Sequence, residues 1–210
     1  MPSRFNEGNS LSELNLSALL LTKGNIYLGL YFGGLSNDLL RFGSVMKYFA
    51  YGSNMSISRL RARVSSAVAL GCFSLSRHDL RFHKASKDGS GKCNAYFTSN
   101  SDDVVYGVLF EIDQVEKLIL DRAEGLGHGY DEKEVIVTAA DGSLISAVTY
   151  VASNFDDSRR PYTWYVNHVV IGAREALLPM DYIRNKISSV EAVEDADEWR
   201  DAKERAIHFR

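Results

Sequence analysis

The pattern of apolar and polar positions divides most of the chain into a strand-rich part and a helical part. Apolar runs bounded by Gly, Asn, Ser or Asp predict strands, because those residues favour turns. The predicted strands are 46–51, 67–75, 79–84, 94–98, 104–112, 134–139 and 144–152. Longer segments predict helices at 56–63, 114–124, 162–177, 180–188 and 192–207. Strands that cluster first and helices that cluster last favour an α+β fold over an alternating parallel sheet.

The first 45 residues do not share this clear pattern. They hold 6 charged residues, whereas the 165 residues that follow hold 45. Polar residues such as Asn15, Ser17 and Lys23 interrupt the apolar run, so it does not read as a secretory signal or a membrane span. We therefore predict a low-charge N-terminal extension over 1–45, appended or mis-started, that is either disordered or annealed as a strand or helix.

Composition excludes several classes of protein. Of the 210 residues, 45% are hydrophobic and 24% are charged, which is usual for a globular chain and excludes wholesale disorder, collagen-like repeats and a coiled-coil rod. A net charge of −3 gives no reason to expect nucleic acid or an anionic membrane as partner. Two cysteines and no targeting signal make the cytoplasm the expected location.

Few residues offer metal or nucleophile chemistry. The five histidines show no ligand spacing such as His-x-x-x-His, and two cysteines are too few for a zinc site of their own. We expect Cys72, in an apolar strand, to be inert, and Cys93 beside Lys92 to be only slightly more open to reaction.

Three arginines alternate on the short predicted helix after residue 55. Arg59, Arg61 and Arg63 are two positions apart, so they spread around the helix. We interpret them as a solvated face.

The turn after the first aromatic strand is a candidate binding site. Phe49-Ala-Tyr-Gly-Ser-Asn54 connects a predicted strand to a predicted helix. A helix start presents unpaired backbone N–H groups at the positive end of the helix, which suits a carboxylate or a developing oxyanion. An ordinary connection with Asn54 or Ser56 as the helix cap is the alternative interpretation.

Glu124 is the candidate proton carrier. It follows Leu120 by one turn and lies beside Ala123, which the pattern assigns to the buried face, so we predict that it faces inward. A half-buried carboxyl at the negative end of a helix has a raised pKa and can carry a proton in both directions. A solvent-facing Glu before the Gly125 cap is the alternative.

Three spaced motifs together resemble the γ-glutamylcyclotransferase family over about residues 46–188. They are Tyr48-Phe-Ala-Tyr-Gly-Ser-Asn-Met55, then Asp121-Arg-Ala-Glu-Gly125 with Gly129-Tyr130, and finally Tyr165 with Ile171-Gly-Ala-Arg-Glu175 and Leu178-Pro-Met-Asp-Tyr182. Relatives that act on γ-glutamylamines or glutathione usually have Thr-Leu or Ser-Leu after Tyr-Gly. With Asn54 two positions after Gly52, this sequence is similar to the branch of the family that is typified by free γ-glutamyl amino acids as substrates.

The resemblance implies a small mixed β-barrel flanked by helices, with a pocket at the barrel mouth, and a reaction without metal or cofactor. The α-amine of a γ-glutamyl group attacks its own γ-carbonyl and releases 5-oxoproline and a free amine. Glu124 would be the catalytic base and then acid. The substrate-binding residues would be Tyr51, Gly52, Ser53, Asn54, Met55, Tyr130 and Tyr165.

Two alternatives stay open at this point. One is a cyclotransferase of the same fold that acts on a larger or secondary-metabolite γ-glutamyl amine, and the other is a non-catalytic small-molecule binder. The segment 189–210 lies outside the resemblance, and we predict an acidic C-terminal helix there. Its Val193, Ala196, Trp199 and Ile207 could pack on the domain or on a second subunit, so a homodimer is one of the open arrangements.

Overall fold

The computed structural model describes residues 19–22, 25–28 and 44–209. Contacts divide the chain into two units, Met1–Gly43 and Ser44–Arg210. In the first unit, β1 (Leu19–Thr22) and β2 (Asn25–Leu28) pair antiparallel. The rest of the prediction for residues 1–43 lies outside the described residues.

The second unit is built around a closed five-stranded barrel. Its strands are β3 (Val45–Ala50), β4 (Val68–Ser76), β7 (Val104–Asp113), β8 (Tyr130–Thr138) and β9 (Leu144–Ala152), in the order β3-β7-β4-β8-β9. The β3–β9 pair is parallel and the other pairs are antiparallel, which confirms the predicted mixed barrel. β5 (His78–Ala85) and β6 (Gly91–Phe97) form a separate antiparallel pair.

The core fills the barrel and the space beneath the helices. Phe49 on β3 and Leu109 and Phe110 on β7 are fully buried. Burying a large apolar side chain stabilises the fold by about 1.5–3 kcal/mol. Packing in the core therefore explains the aromatic residues of β3. The same strand then ends at the turn that carries the first motif.

Over residues 44–209, five α-helices and three 3₁₀ turns accompany the strands of this unit. The helices are α1 (Ile57–Arg61), α2 (Lys117–Glu124), α3 (Thr163–Glu175), α4 (Met180–Tyr182, continued as a π-helix over Ile183–Ser188) and α5 (Glu198–Arg205). The 3₁₀ turns are Ser53–Met55, Gln114–Glu116 and Ala206–Phe209. No helix in the described part of the chain is long and apolar enough to cross a membrane.

The predicted buried face of α2 is wrong. Ala123 is exposed, and so are Leu118 and Ile119, whereas Leu120 is fully buried. Polar contacts to the barrel decide the rotation of this short helix: Asp121 accepts a hydrogen bond from the hydroxyl of Tyr150 on β9 (2.5 Å), and Lys117 pairs with Glu132 on β8. The inward face is therefore formed by Leu120 and, one turn later, by Glu124.

The acidic C-terminal helix is shorter than predicted. It begins at Glu198, because Val193 instead exchanges backbone hydrogen bonds with the chain just before α3: Thr163 N donates to Val193 O and Val193 N donates to Pro161 O, both at 3.0 Å. Asp197 caps the helix by accepting from the backbone N–H of Arg200 at 3.0 Å. The segment thus packs on α3 of the same chain, while Trp199 stays 72% exposed.

Candidate active site

The end of β3 and the turn that follows it form one wall of a cavity. The Tyr51 hydroxyl donates to the backbone oxygen of Tyr150 and fixes the turn against β9. A Cβ at Gly52 would lie 3.0 Å from Cβ of Cys93 and 3.2 Å from the Tyr165 hydroxyl. A side chain at this position would crowd β6 and α3, which explains the glycine of the motif.

The opposite wall is the last turn of α2. Gly125 adopts a left-handed conformation with φ of 73° and ends the helix directly after Glu124. Because Glu124 shares the inward face with Leu120, its carboxyl points to the turn at the end of β3. Asn54 Nδ2 donates a hydrogen bond to Glu124 Oε1 across the gap.

These elements enclose a cavity of about 30 Å³, or about 300 Å³ when the open space up to its mouth is included. Its lining residues are Tyr48, Tyr51, Gly52, Ser53, Asn54, Cys93, Glu124, Tyr130, Tyr150 and Tyr165. Seven of the eight residues chosen from the sequence are thus brought together.

The eighth residue, Met55, lies behind the cavity wall. It is 2% exposed and packs against α3, where a Cβ at Gly172 would come within 2.7 Å of its Cβ. Met55 therefore anchors the 3₁₀ turn to the core and does not line the cavity.

Two polar side chains hold Glu124. Asn54 Nδ2 contacts both the Glu124 carboxylate and, at 3.2 Å, the Tyr48 hydroxyl. Arg63 Nη1 donates to Asn54 Oδ1 at 2.9 Å and lies 3.6 Å from Glu124 Oε1. The arginine thus fixes the orientation of the Asn54 amide and supplies a positive charge beside the carboxylate.

The pKa of Glu124 is raised above its ordinary value. Burial is the largest cause, because the side chain keeps only 15% of its exposure, and it outweighs the charges of Arg63 and Arg59 and the Asn54 hydrogen bond, which lower the pKa. A carboxyl with this balance can exchange a proton closer to neutral pH than an exposed glutamate.

The tyrosines on the far wall are fixed through the backbone of Cys93. The Tyr130 hydroxyl donates to Cys93 O at 2.6 Å, and Cys93 N donates to the Tyr165 hydroxyl at 3.0 Å. Burial raises the pKa of the Cys93 thiol to about 12, so this thiol stays protonated and un-nucleophilic at neutral pH.

The prediction of a solvated arginine face is wrong for two of the three arginines. Arg59 is 6% exposed and donates to Glu204 on α5, and its Nη1 lies 3.0 Å from His168 Nε2. Arg63 borders Glu124. Positions 59 and 63 are four apart and would share one face of the predicted helix 56–63, whereas in the structure α1 ends at Arg61 and Arg63 lies in the turn that follows. The partners of both arginines lie far along the chain.

Within the described residues, no cluster of three or more His, Cys, Asp or Glu side chains is placed to hold a metal ion. Both cysteines are free thiols. The group in this site that can transfer a proton is the buried Glu124 carboxyl with its raised pKa. Tyrosine hydroxyls, the Asn54 amide and the Arg63 guanidinium surround it.

Comparisons with known proteins relate the chain to one family of enzymes. The AIG2-like family model matches residues 104–185. The γ-glutamylcyclotransferase of Bos taurus is 32% identical over 154 residues, which cover 71% of this chain and 80% of that protein. The γ-glutamylcyclotransferase of Mus musculus is 31% identical over 170 residues, or 79% of this chain and 89% of that protein.

Solved structures give the same relation for the fold. A γ-glutamyl cyclotransferase structure superposes with a TM-score of 0.68 at 26% identity, covering 80% of this chain and 100% of that one. The crystal structure of an uncharacterized human protein superposes with a TM-score of 0.66 at 27% identity, over 75% of this chain and 97% of that one. The chain belongs to the γ-glutamylcyclotransferase family of enzymes.

Proposed function

We propose that this chain converts a γ-glutamyl amino acid into 5-oxoproline and a free amino acid, with Glu124 as the proton carrier. The observation that carries the proposal is the buried Glu124 carboxyl on the cavity wall. Asn54 orients this carboxyl by a hydrogen bond, and the positive charge of Arg63 lies 3.6 Å from it. Family membership supplies the reaction class, and this carboxyl supplies the group that the reaction needs.

The reaction is an internal acyl transfer. The α-nitrogen of the γ-glutamyl group forms a bond to the γ-carbonyl carbon, and the amide C–N bond to the leaving amine breaks. Glu124 takes one proton from the attacking nitrogen and returns it to the departing nitrogen, so no proton is gained or lost overall. Since the nucleophile belongs to the substrate, the protein needs no activated serine or cysteine.

The walls of the cavity would supply orientation. A flexible γ-glutamyl chain must fold so that its amine reaches its own carbonyl, and holding that geometry removes much of the entropic barrier. Tyr51, Tyr130 and Tyr165 are rigid because their hydroxyls are bound to backbone atoms of the barrel or of β6. We assign these three tyrosines to packing around the folded substrate, together with Gly52, Ser53 and Asn54 of the turn that follows Tyr51.

The location and the assembly of the enzyme are further parts of the proposal. We expect a cytoplasmic enzyme, since Cys72 and Cys93 are free thiols. We expect a small-molecule substrate to be the partner of the site, and light scattering would decide between a monomer and a homodimer.

The test is 5-oxoproline release from a panel of γ-glutamyl amino acids. We expect product from the wild type and from Glu134→Gln, a control that changes an exposed glutamate on β8. We expect Glu124→Gln to lose turnover while it still binds a γ-glutamyl ligand in calorimetry. Retained release by Glu124→Gln would remove Glu124 from its role.

The same panel distinguishes the alternatives. Absence of product from every γ-glutamyl amino acid, with a folded wild-type protein, would contradict the proposed substrate class. Product from a larger γ-glutamyl amine alone would then identify the first alternative, and ligand binding without any product would identify a non-catalytic binder.

A further inference from the structure

Lys84 is a buried cation beside the cavity that lacks an anionic partner. It lies near the end of β5 and keeps only 8% of its exposure. In the described part of the chain, no carboxylate lies within 4.0 Å of its Nζ and no hydrogen bond to it is formed. A buried ammonium without an ion pair is costly, so its retention points to a ligand.

The other cations around the cavity all have carboxylate partners. Lys92 pairs with Asp88 at 2.8 Å, Arg59 with Glu204, and Arg63 with Glu124 at 3.6 Å. Lys84 is also the direct cross-strand partner of Lys92 in the β5–β6 pair. Like charges in such positions destabilise a sheet, and Asp88 neutralises only one of the two lysines.

Packing holds the Lys84 ammonium against Tyr130, one of the residues that line the cavity. Its Nζ lies 4.7 Å from the centre of the Tyr130 ring, and Tyr130 lines the cavity. The stem rests on the backbone before that tyrosine, because a Cβ at Gly129 would lie 2.9 Å from Lys84 Cε. The side chain is therefore confined to one position beside the cavity.

The charges around Lys84 do not compensate for its burial. Burial lowers the pKa of Lys84, while the charges of Glu124 and Asp88 raise it and that of Lys87 lowers it. Glu124 is thus within electrostatic range of Lys84, although the two do not form an ion pair. A carboxylate that arrives next to this ammonium would gain a charge-assisted hydrogen bond in a largely dry site.

We propose that Lys84 binds the carboxylate of the leaving amino acid and so makes the enzyme selective for γ-glutamyl amino acids over γ-glutamyl amines. The inference rests on the proposed function, which provides a substrate whose leaving group carries that carboxylate. Lys84 is a specificity residue in this proposal: it binds substrate and takes no proton in the reaction.

The experiment compares two substrates that differ by a single carboxylate, γ-glutamylalanine and γ-glutamylethylamide. We measure kcat/KM for both with the wild type, Lys84→Met and Lys84→Gln. Methionine keeps the stem over Tyr130 and Gly129 without the charge. Lys87→Met is the matched control, since Lys87 is an exposed lysine in the following loop.

We expect the wild type to prefer γ-glutamylalanine by about tenfold or more, which corresponds to one charge-assisted hydrogen bond. We expect that preference to fall by about tenfold or more in both Lys84 variants and to change less than twofold in Lys87→Met.

Two results would overturn the inference. The first is equal loss on both substrates in the Lys84 variants, which would mean a structural role or contact with the glutamyl half. The second is equal kcat/KM of the wild type for γ-glutamylalanine and γ-glutamylethylamide. This measurement needs only the wild type, so it tests the inference even if the variants fail to fold. Failure of the proposed function is distinguishable, because the wild type would then release 5-oxoproline from neither substrate.

Discussion

Helix α1 and the turn that follows it border two largely buried glutamates whose pKa values are shifted in opposite directions. Arg63 lies beside Glu124, whose pKa is raised because burial outweighs its partners. Arg59 lies beside Glu204; burial raises the pKa of Glu204, but the hydrogen bond with His168 and the charge of Arg59 outweigh it and lower the pKa to about 2. The charged form of Glu124 is poorly stabilised beside the cavity. The charged form of Glu204 is well stabilised by the contacts that hold α5 to the domain.

The surroundings of the two carboxyls distinguish a group suited to catalysis from a group that supports the fold. A carboxyl whose charged form is poorly stabilised is ready to accept a proton, which suits a catalytic group. A carboxyl that is held as an anion by a buried arginine and a histidine contributes to folding and is unsuited to proton transfer at neutral pH. Substitutions of the two glutamates are therefore expected to have opposite signatures.

The largest expected effect is on turnover in Glu124→Gln. Loss of the general base should lower kcat by about 10²–10⁴-fold, the usual contribution of proton transfer. The free energy of unfolding should not decrease, because the variant no longer buries a charge. Activity is measured by 5-oxoproline release and stability by urea denaturation; a variant that loses stability as well would make Glu124 structural.

The next effect is on stability in Glu204→Gln. Breaking the pair leaves the Arg59 charge buried without its partner, which should cost about 3–5 kcal/mol of the free energy of unfolding. The matched control is Glu198→Gln, an exposed position on the same helix, with an expected change within about 0.5 kcal/mol. Equal stability of the two variants in urea denaturation would contradict the assigned role of Glu204.

The C-terminal cluster should also make stability depend on pH. Burial lowers the pKa of His168 to about 4, so the folded state disfavours its protonated form. The neutral His168 therefore favours the folded state above the ordinary histidine pKa of about 6.5, and this contribution to the free energy of unfolding is lost as the pH falls from 6.5 towards 4. The Tm of His168→Gln should therefore fall less than that of the wild type between pH 6.5 and 4, and parallel curves would refute this assignment.

The barrel could be predicted from sequence because its signals are local. Apolar strands bounded by turn residues located all five barrel strands to within a few residues, with β8 the furthest from its prediction because it begins at Tyr130. The turn at the end of β3 and the end of α2 were also visible as short motifs. Each of these depends on residues close together in the chain.

The remaining features depend on partners far apart in the chain. The rotation of α2 is set by contacts from Asp121 to β9 and from Glu124 to Asn54, which no periodicity of the helix itself encodes. Arg59 meets Glu204, 145 residues later. Lys84 lies near a strand end, and the residues that bury it, Gly129 and Tyr130, come from a distant part of the chain.

The smallest expected effect concerns the N-terminal unit. Removal of residues 1–43 should change kcat/KM less than twofold, because the cavity residues all belong to the second unit and Ser44 is kept, whose backbone oxygen accepts from Gln114 N at 2.9 Å. Kinetics and thermal unfolding of the truncated protein provide the check. A collapse of either would mean that the unit is required by the domain.

The most direct test of Glu124 as the proton carrier is the pH profile of kcat/KM, which reports the ionisation of the essential base in the free enzyme. We predict that activity falls on the acid side with an apparent pKa above the ordinary glutamate value. This limb should move to higher pH in Arg63→Met, because the Arg63 charge lowers the pKa of Glu124, and should stay in place in the exposed control Arg61→Met. An acid limb at the ordinary value, or one that Arg63→Met leaves in place, would contradict the assignment of Glu124 as the proton carrier.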